Sequence, residues 1–245
     1  MPTEVSLRLA GQDDLPAVAE LYLAVRRAAV PLMPPGVHPD DDVRRWVGSW
    51  DLSTRDVWLA ESGTDGDPAL VGFATLTPTW LESLYVAGSA QRQGIGSALL
   101  ELAKAQRPDG FALWVFESNV AARAFYARHG LVELERTDGL ANEERRPDVR
   151  MAWPGTDPLA FYRAMIDEVD LTLGDALARR VALTRVVQDH KREVSAVADP
   201  ARDATRERDI VARVAELAPE LGEERVGRIM HAVISESIDA ARERS

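Results

Sequence analysis

Hydrophobic and polar positions change their rhythm near residue 154. Before it, short apolar runs alternate with polar residues and are cut by turn-forming stretches. After it, apolar residues recur at helical spacing through long charged segments, with no convincing strand. The first part reads as follows. VSLRLA (5–10) alternates like a half-buried strand. DDLPAVAELYLAVRRA (13–28) begins at an Asp cap and continues at helical spacing, and DDVRRWVGSW (41–50) reads as a second helix. VWLAES (57–62) and ALVGFATLT (69–77) flank the turn-rich GTDGDP and predict a hairpin. LESLYVA (81–87) is a strand, followed by a glycine-containing loop and a helix over about 94–106. FALWVF (111–116) is a strand, and NVAARAFYARHG (119–130) is a helix stopped by Gly130. LVELER (131–136) and DVRMAW (148–153) close the sheet. The expected fold is α/β: a mixed twisted sheet flanked by helices on both sides.

The second part predicts three helices. The first spans about 158–198, the second starts at the Asp199-Pro200 cap pair and ends before Pro219, and the third covers about 222–243. WPGTDP (153–158) has the composition of a linker, which gives domains at 1–153 and 159–245 joined by 154–158. On the first helix Leu159, Ile166, Val169, Leu173, Leu177, Thr184 and Val187 fall along one stripe. Arg180 and Lys191 point within roughly 20° of its middle, whereas Arg179, Arg185 and Arg192 lie to the side or on the far face. Forty residues of helix make a rod of ~60 Å, which the remaining residues of this half are too few to cover. A second copy is the expected cover, so the helical domain is expected to form a homodimer.

Composition narrows the classes. A net charge of −11 argues against general nucleic-acid binding. The absence of cysteine excludes disulfides and thiolate metal sites, and His38, His129, His190 and His231 lack ligand spacing, so no metal is expected. No apolar run approaches the ~20 residues of a membrane span, and MPTEVSLRLA does not read as a signal peptide. A soluble, cytoplasmic protein without membrane contact is the expectation.

Candidate chemistry in the first half centres on SLYVAGSAQRQGIGSALLELA (83–103), where a strand leads through Gln91-Arg92-Gln93-Gly94-Ile95-Gly96 straight into a helix. Glycines without a Cβ allow close approach of a ligand, and the first amides of the helix form an anion site suited to a pyrophosphate. The six-residue dinucleotide fingerprint is absent. Gln-x-x-Gly-x-Gly after this strand resembles the acetyl-CoA motif of the GNAT N-acetyltransferases. Asn119-x-x-Ala122-x-x-Phe125-Tyr126-x-x-x-Gly130-Leu131 continues the likeness, which covers about residues 5–153. The resemblance implies acetyl-CoA as co-substrate and a small-molecule amine as acceptor. It assigns the pyrophosphate to the backbone amides of Gln91, Arg92, Gln93, Gly94, Ile95, Gly96 and Ser97, and the pantetheine arm to the backbone of Leu84 and Val86. Asn119 would touch the cofactor, and Tyr126 would protonate the departing thiolate as general acid. Glu82, on the strand before the loop, is the nearest candidate by sequence to take the proton of the amine, unless a water relay does so.

In the second half the buried-side cations need an anionic guest. FYRAMIDEVD…LARRVALTRVVQDHK…ARDATRERD…IMHAVISESI resembles the all-helical, type II chorismate mutases over nearly all of 158–240. The likeness rests on the ordered set Arg163, Arg180, Lys191, Asp203, Arg206 and Glu207, and Lys191 is the only lysine of this half. It implies a three-helix, intertwined dimer that converts chorismate to prephenate with no cofactor. Arg163 of the partner subunit and Arg180 would clamp the two carboxylates, and Lys191 would face the ether oxygen. Glu207 with Asp203 would bind the ring hydroxyl, with Arg206 in support. On the third helix the family places a Ser and, four residues on, a Gln or Glu. Alignment on Ser237 puts Ala241 in that place, and the alternative frame, Ser235 and Asp239, has worse apolar register.

Together these features predict a bifunctional enzyme of chorismate (shikimate-pathway) metabolism, an acetyl-CoA-dependent N-acetyltransferase fused to a chorismate mutase. The alternative is an acetyltransferase whose second domain only dimerises, senses a ligand, or acts on an isochorismate or aminodeoxychorismate analogue.

Overall fold

The computed structural model describes residues 5–63, 68–194 and 204–242. The chain forms two compact units, Met1–Arg163 and Ala164–Ser245. In chain order the described elements of the first are β1 (Val5–Leu9), α1 (Leu15–Ala28), α2 (Asp40–Gly48), β2 (Asp56–Ser62), β3 (Ala69–Leu76), β4 (Leu81–Val86), α3 (Ile95–Gln106), β5 (Phe111–Phe116), α4 (Val120–Arg128), β6 (Val132–Thr137) and β7 (Asp148–Trp153). Then follow α5 (Pro158–Val194), α6 (Ala204–Leu217) and α7 (Gly222–Arg242).

Alternation along the strands sets the layers. In β2, Val57 and Leu59 pack with Leu15, Val18 and Val47 of α1 and α2, while Trp58 and Ala60 face Ile95, Leu99 and Leu100 of α3. In β3, Phe73 joins the first cluster and Ala74 and Leu76 the second. A period of two therefore feeds two apolar cores, one on each face of the sheet. Helix α1 carries a proline in its first turn, where no amide is lost to the helix. The strand and helix types match the expectation from sequence, and β5 and β7 match it residue for residue.

The expected mixed sheet consists of two antiparallel ladders, β1-β2-β3-β4 and β5-β7-β6. Among the described residues they meet at one parallel bridge, Trp80↔Ala112, where the Ala112 N–H donates to the Thr79 carbonyl at 2.9 Å. Beyond that point β4 and β5 run on without a ladder between them. The bridge is stiffened by stacked Trp80 and Trp114 rings, 6.4 Å apart, and by Arg150 over the Trp80 ring. The unpaired edges of β4 and β5 are what open the first unit to a ligand.

Helix α5 runs for 37 residues, capped by Asp157, whose Oδ1 accepts from the Ala160 amide at 3.1 Å. Its faces differ along its length. From Leu177 onward, Leu177, Arg180, Val181, Thr184, Arg185, Gln188 and Lys191 are half-buried. Val187 of the predicted stripe is an exception at 51% exposed, and further back Ile166, Val169 and Leu173 are more than half exposed. Arg185, placed by sequence away from this side, shares it: its Nε is buried with no hydrogen-bond partner among the described residues. The half-buried arc is wider than the apolar stripe and takes in the arginine at its rim. The predicted end of this helix, the Asp199-Pro200 start of the next, and the candidate residue Asp203 lie outside the described residues.

Candidate functional site

A cavity of about 1140 Å³ opens between β4 and β5. Ten of the residues chosen from sequence line it: Glu82, Leu84, Val86, Gln91, Arg92, Gly94, Gly96, Ser97, Asn119 and Tyr126. Gln93 and Ile95 do not. The Gln93 amide group donates to the Ser89 carbonyl at 3.0 Å, and Ile95 is buried in the core.

At one end lies the start of α3. Gly94 caps it with φ +87 and no side chain satisfies its first amides. The first intrahelical bond runs from Ala98 N–H to the Gly94 carbonyl at 2.9 Å, leaving the amides of Ile95, Gly96 and Ser97 outside the ladder. A Cβ on Gly94 would meet nothing within 4 Å and would project into open space. On Gly96 it would touch the Phe125 ring at 3.6 Å. Arg92, with φ 62, is a non-glycine residue in the left-handed region beside these amides. Arg92 and Arg128 bring positive charge to the cavity wall. Bare amides, a helix dipole, two guanidiniums and a missing Cβ together fit a pyrophosphate. Gln91 braces the loop by donating to the Val86 carbonyl at 3.2 Å.

Asn119 has a structural task as well as a place in the lining: its Oδ1 caps α4 by accepting from the Ala122 amide at 3.2 Å. Tyr126, on α4, is buried, and burial alone pushes its hydroxyl above the ordinary tyrosine range. A phenol held protonated is suited to donate.

Three acidic residues, Glu82, Glu144 and Asp148, reach the lining. Glu82 is tied to Arg55 at 2.8 Å, and the Arg55 guanidinium lies over the Trp50 ring. Glu144 pairs at 2.6 Å with Arg26, which is only 8% exposed. Asp148 accepts from the Thr137 hydroxyl and from Asn142 Nδ2 at 2.9 Å. Sequence reasoning missed Arg26, Glu144, Asp148 and the half-buried Tyr85 beside them. The Arg26–Glu144 pair joins residues 118 positions apart, which no local pattern announces.

In the second unit the candidates are spread. Arg180 Nη1 donates to the Val233 carbonyl at 3.3 Å, and the Ser237 hydroxyl donates to the same oxygen at 2.5 Å, so these two come together. Ser237 and Ala241 lie on the buried face of α7 with Ile234, whereas Asp239 is exposed and lies near Arg242. Lys191 is half-buried on α5, and Arg206 is exposed at the start of α6. Glu207 lines a separate small cleft between α6 and α7, with Arg208, Glu223 and His231. Arg163 belongs to the first unit.

A splayed sheet with a glycine loop feeding a helix at its opening has the architecture of an acyltransferase, and comparisons with known proteins agree. The model of the acetyltransferase (GNAT) family matches residues 21–131. A relative named Probable N-acetyltransferase Rv2775, from Mycobacterium tuberculosis, is 31% identical over 147 residues, covering 52% of this chain and 79% of its own. The peptidyl-lysine N-acetyltransferase YiaC of Escherichia coli is 29% identical over 154 residues, 60% of this chain and 96% of its own. The apo-form solution structure of Escherichia coli YjaB shares the fold at 20% identity and TM-score 0.50, covering 62% of this chain and 99% of that one. The chain belongs to the GNAT acetyltransferase family, and its residues 162–242 match the model of chorismate mutase type II. Among the described residues, no helix is long and apolar enough to cross a membrane.

Proposed function

We propose that the protein is a bifunctional enzyme, an acetyl-CoA-dependent N-acetyltransferase and a chorismate mutase working as a homodimer. The observation that carries the first activity is the cavity that collects the start of α3, the edge of β4 and Tyr126. Residues 91–97 would hold the pyrophosphate and the Leu84–Val86 edge the pantetheine arm. Acetyl-CoA supplies an activated thioester whose acetyl carbon accepts the amine. Tyr126, kept neutral by burial, stands as the proton donor to the sulfur side. The incoming amine must lose a proton. Glu82 remains the carboxylate proposed from sequence, held in place by Arg55, and Glu144 is a second candidate in the same lining. Calorimetric titration of the protein with CoA tests this reading: binding is expected in wild type and weakened by Gly94→Ala. A wild-type protein that binds no CoA would overturn it.

For the helical half, the proposed reaction is the intramolecular rearrangement of chorismate to prephenate. It needs only conformational restraint and positive charge where the ether bond breaks. Arg180 is already fixed beside Ser237. The exposed stripe at Ile166, Val169 and Leu173 is the surface on which an antiparallel second copy would lie, bringing Arg163 of the partner subunit to this site. One observation favours the alternative, a domain that dimerises, senses a ligand or turns over an isochorismate or aminodeoxychorismate analogue. Ala241, at 1% exposure, offers no donor where the family has Gln or Glu. Loss of chorismate absorbance with purified protein, against Arg180→Ala, decides between them. No turnover by wild type would leave the dimerisation, ligand-sensing or analogue reading.

A further inference from the structure

Beneath the first turn of α3 lies a chain of contacts that the proposed acetyl transfer does not use. Ser97 Oγ, in the cavity lining, is 3.1 Å from His129 Nε2. The other ring nitrogen, His129 Nδ1, is 3.4 Å from Glu101 Oε1. Lys104 from α3 donates to the His129 carbonyl at 2.7 Å and to Glu101 at 2.8 Å. The Phe125 ring packs on the imidazole at 4.6 Å. Glu101 and Lys104 are thus the charged groups of α3 that face His129; α4 packs the Phe125 ring on it and places Arg128 in the lining of the same cavity.

The arrangement fixes the direction of one hydroxyl. The Glu101 carboxylate is held below its usual range by Lys104 first and His129 after it, so it is ionised at neutral pH. An ionised carboxylate 3.4 Å from Nδ1 favours the neutral tautomer with its proton on that nitrogen, which leaves Nε2 as an acceptor. The Ser97 hydroxyl then points its single proton at His129 and turns lone pairs toward the cavity. An anion at the start of α3 meets those lone pairs unfavourably. If the ring takes up a proton, Nε2–H becomes a donor to Ser97 Oγ. The hydroxyl proton is released to point at the anion, and no covalent bond changes apart from the added N–H.

We infer that His129 is a positioning residue for the acyl donor: its protonation turns the Ser97 hydroxyl toward the phosphate, so that docking of the phosphate takes up a proton. The inference rests on the assignment of residues 91–97 to the pyrophosphate. It predicts that affinity for the pyrophosphate rises as pH falls, through a hydroxyl that never changes its own charge.

The test uses dephospho-CoA, because the 3′-phosphate of CoA itself ionises in the same pH range and the pyrophosphate does not. Calorimetric titration at pH 7.5 in buffers of different ionisation enthalpy reads protons taken up per ligand bound. Wild type is expected to take up a fraction of a proton and to bind roughly five- to tenfold tighter at pH 6 than at pH 8.5, as a charge-assisted donor to an anion requires. Both Ser97→Ala and His129→Gln are expected to bind without proton uptake and with a flat pH response. Uptake that persists in Ser97→Ala would mean that the imidazolium acts through space, and the relay would be wrong. Uptake that persists in His129→Gln would place the proton elsewhere and would also overturn it. Should His129→Gln fail to fold, Ser97→Ala alone decides the matter. Wild-type binding without uptake removes the relay alone, whereas no binding of dephospho-CoA removes the pyrophosphate assignment beneath it.

Discussion

Tyr126 carries the sharpest consequences at the level of single residues. Its side chain is buried, and burial raises its pKa above the ordinary value, so the protonated form is retained in the folded state. The sign follows: the group contributes stability below the unfolded-state value of about 10, and that stability is lost as pH rises toward the folded value. Denaturant midpoints are therefore expected to hold level to about pH 10 and then fall, more shallowly in Tyr126→Phe. The same substitution is expected to lower kcat for acetyl transfer by roughly 10²-fold, the low end for a general acid, with little change in KM for acetyl-CoA. Release of the CoA thiol, followed with a thiol-reactive dye, reads both parameters. In the helical unit, Arg180→Ala is expected to lower chorismate turnover by about 10²- to 10³-fold, the usual cost of removing one transition-state donor. These residues were legible in the sequence because each sits inside a short ordered motif. Arg26, Glu144 and His129 were not. Their roles come from contacts with residues far along the chain, and a lone arginine, glutamate or histidine leaves no periodic trace.

Elements add what single residues cannot. Helix α3 starts on a glycine with φ +87, a region costing an L-residue with a Cβ about 1–2 kcal/mol. Gly94→Ala is thus expected to shift thermal unfolding downward as well as to weaken CoA binding, and scanning calorimetry separates the two effects. Strand and helix boundaries were readable because alternation and capping are local: β5 and β7 came out residue for residue. What stayed hidden was order in space. Strand β7 pairs between β5 and β6, and among the described residues the two ladders touch at one bridge. Hydrophobic alternation tells a strand which face is buried but not which neighbour it has. For α5, sequence geometry gave the stripe but not the change along it, from mostly half-buried past Leu177, Val187 excepted, to exposed at Ile166, Val169 and Leu173. Leu173→Asp places a charge on that exposed segment. Light scattering is expected to show monomers for this variant and dimers for wild type, with acetyl transfer retained.

At the scale of the molecule, the two proposed activities differ in how many chains each needs. The cavity between β4 and β5 is lined entirely by residues of one first unit. The mutase site, as proposed, draws on two copies. Specific mutase activity is therefore expected to fall on dilution below the dimer dissociation constant, while acetyl transfer per chain stays constant. Assays of both reactions across a dilution series of one preparation check this, and parallel curves would argue against the shared site.

Arg163 and Arg180 stand on one continuous helix, separated by roughly 25 Å of rise. Neither can serve the same guest as the other within a single chain. Two crippled versions of the protein should therefore heal each other. If Arg163→Ala and Arg180→Ala chains are co-expressed and pair at random, every mixed pair regains one intact mutase centre. The mixture would then recover about a quarter of the normal complement, although either version alone has none.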